Sequence, residues 1–94
     1  MGRYDPKLAD DIEIRAEAGD RDAQYRLGLV YATESGPDAL IKAHKWFNLA
    51  AMAGDARARI ERQEMAEMMS AAEIADAQRR ARAWIAARQS AHAA

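Results

Sequence analysis

Histidine, cysteine and clustered carboxylates are the residue types that most often carry chemistry, and this chain offers few usable patterns of them. Its 94 residues contain no cysteine and two histidines, His44 and His92. His44 has no acidic residue and no second histidine within one helical turn, and His92 lies in the C-terminal tail. A metal site or a nucleophile–base–acid set needs such partners. The sequence therefore predicts no catalytic residue, no metal site and no cofactor, and we expect His44 to be partly exposed beside Trp46.

Charged residues form three further groups. Four acids, Asp10, Asp11, Glu13 and Glu17, share one short segment, where a solvated helix face is the simplest interpretation and a docking face for a basic partner is the alternative. Two arginine clusters lie in the second half of the chain: Arg57, Arg59 and Arg62, and then Arg79, Arg80, Arg82 and Arg88.

The arginine clusters would grip phosphate if they met across the last two helices. Glutamates interleave the first cluster, and Asp76 precedes Arg79 and Arg80 at the spacing of ordinary helix-surface ion pairs. The net charge is −1, whereas nucleic-acid binders usually carry a strong basic excess. A nucleic-acid- or phosphate-binding regulator is therefore the alternative function, and nucleic acid is not the favoured partner.

Helices must position these side chains, because every long segment has apolar residues at helical spacing. Glycine followed by aspartate marks two boundaries, at Gly19 and Gly54, and Ser70 with Glu73 forms a capping box before the last helix. The pattern predicts an all-α chain of five helices joined by short connections. The first four cover residues 6–18, 21–33, 39–53 and 56–69, and the last follows Ser70 up to a frayed tail.

The chain also repeats itself. Ala16, Ala18, Gly19, Asp20 and Ala23 recur 35 residues later as Ala51, Ala53, Gly54, Asp55 and Ala58. A second echo matches Lys42-Ala43-x-x-Trp46 to Arg80-Ala81-x-x-Trp84. A repeat of this length is typical of arrays of stacked helix pairs.

These repeated residues resemble the Sel-one-like repeat (SLR), a relative of the tetratricopeptide repeat. The residues that carry the resemblance are Ala23, Leu27, Gly28, Tyr31, Ala43, Trp46, Ala50, Gly54, Ala58 and Trp84. The resemblance implies a single domain over residues 1–94, in which about five antiparallel helices stack as a short SLR/TPR-like α-α superhelix. Its parts would be a half repeat (6–18), a full repeat (20–54), a degenerate or capping repeat (55–89) and a frayed tail (90–94).

The resemblance further implies a function without catalysis, because SLR proteins are adaptors that assemble protein complexes. The first helix of each pair conventionally lines the groove that binds a protein or peptide. On that basis the residues expected to contact a partner are Gln24, Tyr25, Leu29, Arg59 and Gln63. A homodimer that uses the methionine-rich fourth helix is a further alternative.

Two expectations concern location. No stretch approaches the ~20 apolar residues that a membrane span requires, so none is predicted. Residues 1–6 lack the apolar segment of a signal peptide, and a cytoplasmic location is therefore expected.

Overall fold

Five α-helices account for most of residues 6–93, the part of the chain whose backbone the computed structural model describes; side chains are described for residues 11–92. This range contains helices, turns and no strand, which confirms the predicted all-α fold with five helices. The helices are α1 (Pro6–Glu17), α2 (Arg21–Ala32), α3 (Pro37–Met52), α4 (Ala56–Ala66) and α5 (Ala71–Ala93).

The glycine–aspartate pairs form two equivalent turns. Gly19 and Gly54 adopt φ of 99° and 104°, a left-handed conformation that favours glycine and ends the preceding helix. The Asp20 carboxylate then accepts from the backbone N–H groups of Asp22 and Ala23, at 3.0 and 3.2 Å. Asp55 accepts from the backbone N–H groups two and three residues later in the same way, at 2.9 and 3.2 Å. Both turns therefore stop one helix and cap the next, as predicted.

The boundaries of the last two helices agree with the sequence only in part. The capping box is confirmed, because Ser70 N–H donates to the Glu73 carboxylate at 2.7 Å and Glu73 N–H donates to Ser70 Oγ at 3.1 Å. The predicted end of α4 near Met69 is wrong, since three successive N–H groups after Ala66 bond only three residues back and tighten the chain into turns. Residues 90–93 belong to α5.

Helix α3 lies at the centre and packs against α2, α4 and α5, while α1 packs against α2. Its two faces belong to two apolar clusters. The first core joins all helices except α4 and contains Ala16, Ala23, Leu27, Trp46, Leu49 and Ala81; the second core joins α3 to α4 and contains Ala43, Phe47, Ala50, Ala58 and Met65. Small side chains on α3 let its neighbours approach closely.

The C-terminal half of α5 reaches back to the end of α1. The Trp84 ring packs edge-on against Trp46, with ring centroids 6.1 Å apart, and its Nε1 donates to the Glu17 carboxylate at 2.9 Å. Arg88 lies over the Trp84 ring and donates to the Glu17 carbonyl oxygen at 3.2 Å. These contacts fold α5 across α3 and fix where its N-terminal half lies beside α4.

Candidate binding cleft

A polar cleft of about 420 Å³ opens between α3, α4 and α5. We call it the α3–α4–α5 cleft. Its lining consists of His44 and Asn48 from α3, Arg59, Arg62, Gln63 and Ala66 from α4, and Ile74 and Gln78 from α5. None of these described lining residues is acidic, so the cleft is basic although the whole chain carries a net charge of −1.

Helical spacing explains why these side chains meet. The α4 residues of the cleft follow one another at spacings of three, four and seven from Arg59, which places them on one face of that helix. Ala58 and Met65 lie on the adjoining face and are buried against α3, and this burial fixes the rotation of α4. Ile74 and Gln78, one turn apart on α5, form the opposite wall.

The two arginines of the cleft differ in their contacts. Arg62 Nη1 donates to Asn48 Oδ1 at 2.7 Å, which holds its guanidinium against α3. Arg59 is exposed. Neither arginine forms an ion pair with the carboxylates of residues 11–92. Both guanidinium groups therefore keep N–H donors available to a bound acceptor.

His44 is the most buried polar side chain of the cleft. Its exposed fraction is 3%, so the expectation that it would be partly exposed is wrong. Its Nδ1 atom is buried and has no hydrogen-bond partner among the described residues. Burial lowers the pKa of His44 below its ordinary value of 6.5, and the nearby charge of Arg62 lowers the pKa further. The imidazole is consequently neutral at pH 7.

The residues predicted to contact a partner do not form one surface. Arg59 and Gln63 line the cleft. Gln24 is only 2% exposed, and its Nε2 donates to the Ala16 carbonyl oxygen at 3.2 Å, which joins α2 to α1. Tyr25 is half-buried and Leu29 is 36% exposed, one turn apart on α2.

Tyr25 belongs to a different surface from Arg59. The Arg57 guanidinium lies 4.1 Å from the centre of the Tyr25 ring, which also packs against Phe47. Arg57 and Arg59 are two positions apart on α4, so their side chains leave the helix on different faces. The residues predicted to line one groove are therefore divided between a surface at Tyr25 and the α3–α4–α5 cleft.

Three of the seven arginines in the two clusters, Arg57, Arg79 and Arg80, form ion pairs with carboxylates. Arg57 forms ion pairs with Asp55 at 2.7 Å and with Asp22 at 2.8 Å. The pairs of Asp76 with Arg79 and Arg80, at 3.4 and 3.2 Å, confirm the spacing read from the sequence. Arg80 also contacts Asp38, at 3.1 Å. Arg82, on α5, is exposed.

The acidic residues near the start show no convergence on a ligand site. The Asp10 side chain lies outside the described residues, and Asp11 pairs with Arg15 at 3.4 Å. Within residues 11–92 no group of three or more His, Asp or Glu side chains is placed to hold a metal ion. None of the described helices combines the length and the apolar character of a membrane span.

Comparison of the chain with protein-family models gives no match, and comparisons with curated proteins and with solved structures give none either. The resemblance to SLR proteins thus stays a prediction from the residues that carry it.

Sequence reasoning missed half of the cleft. Asn48, Ile74 and Gln78 were not singled out, and His44 was treated as a bystander. A usable signal existed in the helical period, since His44 and Asn48 are one turn apart on the predicted third helix. Their proximity to Arg59 and Gln63, however, depends on how α4 is rotated against α3.

Proposed function

We propose that the chain is a non-catalytic protein-interaction module that binds a segment of another protein in the α3–α4–α5 cleft. The open cleft itself carries the proposal, because arginine and amide side chains on three packed helices face solvent there. Arginine is enriched in protein interfaces, and amides can pair with both the donors and the acceptors of a peptide main chain. Rigid helices also hold these groups in place before a partner arrives.

The repeat supports the same function. The two equivalent glycine–aspartate turns and the central α3 are the features expected of stacked helix pairs, and such arrays present surfaces for protein recognition. Membership of the SLR family, an adaptor role and a cytoplasmic location are parts of this proposal.

A phosphate- or nucleic-acid-binding function has weaker support. Arg57, Arg79 and Arg80 pair with carboxylates, which removes much of the basic surface that such a regulator would use. Binding dominated by phosphate contacts falls steeply with salt concentration, and this dependence separates the two functions.

The first test is affinity co-purification from a lysate with the chain immobilised, with and without nuclease. The proposal predicts a stoichiometric protein partner that survives nuclease treatment and is lost with the Arg59→Ala/Gln63→Ala double variant. Arg15→Gln, which alters charge on α1 away from the cleft, should retain the partner. Circular dichroism checks that all variants keep their helicity.

Two results would contradict the proposal. A partner retained by the double variant would remove the cleft from the interaction. A signal abolished by nuclease would favour the regulator that binds nucleic acid.

A further inference from the structure

His44 lines the cleft, and its buried Nδ1 atom has no hydrogen-bond partner among the described residues. Buried polar groups almost always have a hydrogen-bond partner, and an unpaired one costs free energy. The residue is only 3% exposed, yet it lines an open cleft. A buried imidazole therefore forms the floor of the cleft, beneath the exposed side chains of its walls.

The charge around His44 indicates the kind of group that fits. On α4, Arg59 and Arg62 carry two positive charges; the facing residues of α5, Ile74 and Gln78, carry none; and the α3 neighbour, Asn48, is already used by Arg62. An anion would be attracted by both guanidinium groups in the open cleft between the three helices.

We infer that the α3–α4–α5 cleft binds a carboxylate of an acidic peptide segment, with Arg59 and Arg62 donating to the carboxylate and His44 at the floor of the site. This inference rests on the proposed function and names the chemistry of the partner. A planar carboxylate suits the forked donors of arginine. Gln63 and Gln78 flank the site and can pair with the main chain on either side of the acidic residue, which a small free anion does not supply.

Binding of the carboxylate is coupled to protonation of His44. In the free chain, burial and Arg62 disfavour the charged imidazolium. A bound carboxylate neutralises the field of Arg62 and adds a negative charge, so the pKa of His44 rises in the complex. The complex then takes up a proton, and affinity increases as the pH falls through the pKa of the bound state.

Nuclear magnetic resonance of the imidazole groups tests this inference directly on the full chain. The probes are sodium acetate, inorganic phosphate, an acetylated Ala-Glu-Ala-Glu-Ala amide, and the same peptide with glutamine in place of glutamate. The glutamate peptide should shift the His44 signals saturably, raise the pKa of His44 and bind more tightly than acetate. The exposed His92 should be unaffected and serves as the internal reference.

Substitutions in the wall of the cleft should weaken the glutamate peptide. Arg59→Gln and Arg62→Gln should each reduce its affinity about tenfold or more, the usual effect of losing a charged hydrogen bond. Gln78→Glu offers a variant of nearly unchanged size that places a negative charge in the site, and it should abolish the His44 shift. Arg15→Gln should leave the affinity unchanged.

Three outcomes would overturn the inference. Equal binding of the glutamate and glutamine peptides would show that the cleft does not recognise the carboxylate, but it would leave the protein-interaction function standing. A His44 signal that no carboxylate probe moves would exclude the site. A shift produced by phosphate and acetate but by neither peptide would make the cleft a small-anion site and would contradict the proposed function as well.

Discussion

Gly28 and Phe47 determine how closely α2 approaches α3. Both are buried, and a Cβ atom added at Gly28 would lie 2.5 Å from Cε1 of the Phe47 ring, closer than two carbon atoms can pack. The ring is fully buried, so it has little room to move away. A single hydrogen atom on α2 thus permits the contact between the two helices of the full repeat.

Gly28→Ala therefore tests this contact through the sign of the change in stability. At an unhindered position inside a helix this change stabilises the protein by about 1 kcal/mol. Here the clash should reverse the effect and destabilise the chain by about 1–3 kcal/mol, the usual cost of overpacking. Urea unfolding followed by circular dichroism measures the difference. A variant more stable than the original chain would show that α2 and α3 are further apart than described.

Removal of the Trp46 side chain should strongly destabilise the fold. It is 3% exposed, contributes to the first core and packs against Trp84. Trp46→Ala should reduce the free energy of unfolding by about 3–5 kcal/mol, measured as a fall in the melting temperature. Ile60→Ala, which truncates a side chain that is 60% exposed on α4, is the matched control and should change stability little. An unchanged melting temperature for the Trp46 variant would contradict its placement in the core.

Two buried polar residues, Gln24 and His44, show the limit of prediction from the sequence. The small size of Gly28 and the apolar character of Trp46 are local signals that favour packing against other helices. The burial of Gln24 and His44 could not be predicted in this way, because a polar side chain can be buried when a neighbouring helix offers a partner or a cleft. For Gln24 that partner is a carbonyl at the end of α1, and its position is set by the turn between the two helices.

At the level of the helices, the two glycine–aspartate turns differ in their surroundings. The Asp20 side chain is 45% exposed, whereas the Asp55 side chain is 5% exposed and also accepts two hydrogen bonds from Arg57. Arg57, in the first turn of α4, also contacts Asp22 in the first turn of α2. It therefore links the starts of these two helices.

Removing each cap should consequently have unequal effects. Asp20→Ala should cost about 1 kcal/mol, as is typical for a helix N-cap. Asp55→Ala should cost more, because the carboxylate that it removes is buried and also accepts two hydrogen bonds from Arg57. Chemical unfolding of the two variants under identical conditions gives the comparison. Equal losses would mean that the contacts of Arg57 add nothing to the cap.

The pair of Asp22 with Arg57 should make stability depend on pH. Hydrogen bonds first from Arg57 and then from Arg26 lower the pKa of Asp22 to about 2, from an ordinary value of 3.8. Its stabilising effect is therefore complete above pH 3.8 and is lost as the pH falls through about 2. The difference in melting temperature between the original chain and Asp22→Asn should shrink across this window and also with added salt. Glu34→Gln, an exposed change outside the described ion pairs, should show no such trend, and a constant difference for Asp22→Asn would refute the pair.

Most of the helix boundaries could be predicted because their causes are local. The left-handed glycines, the aspartate caps and the capping box at Ser70 and Glu73 act within a few residues. The end of α4 was predicted three residues too late, since its methionines continue the helical spacing while the backbone already turns. The location of the cleft was not predictable from the same signals, because it depends on how α4 and α5 are placed by α3.

At the level of the whole molecule, α5 brings the C-terminal part of the described chain into contact with the end of α1. Ala81, Trp84 and Ile85 cover the first core, and Trp84 and Arg88 contact Glu17. No local sequence pattern indicates these contacts, because the bonded residues are 67 and 71 positions apart. The repeat predicts a further helix after α4. It gives no indication that this helix packs against α3.

Shortening α5 tests this role. A chain that ends after Arg82 lacks Trp84 and Ile85, so it should expose Trp46 and Leu49 and lose its cooperative thermal transition. A chain that ends after Gln89 loses only residues outside the first core and should melt like the original. Differential scanning calorimetry distinguishes the two. Cooperative melting of the shorter chain would show that the fold does not need the C-terminal half of α5.

The contact of Trp84 with Glu17 also has a consequence for the order of folding. The packing of α2 on α3 and of α3 on α4 joins neighbours in the chain, and such local contacts form quickly. The α5–α1 contact must close a loop of more than sixty residues, and closing it costs chain entropy before any contact repays it. Trp84 fluorescence should therefore change after most of the helical signal has formed, so that the helix that completes the cleft is also the last to dock.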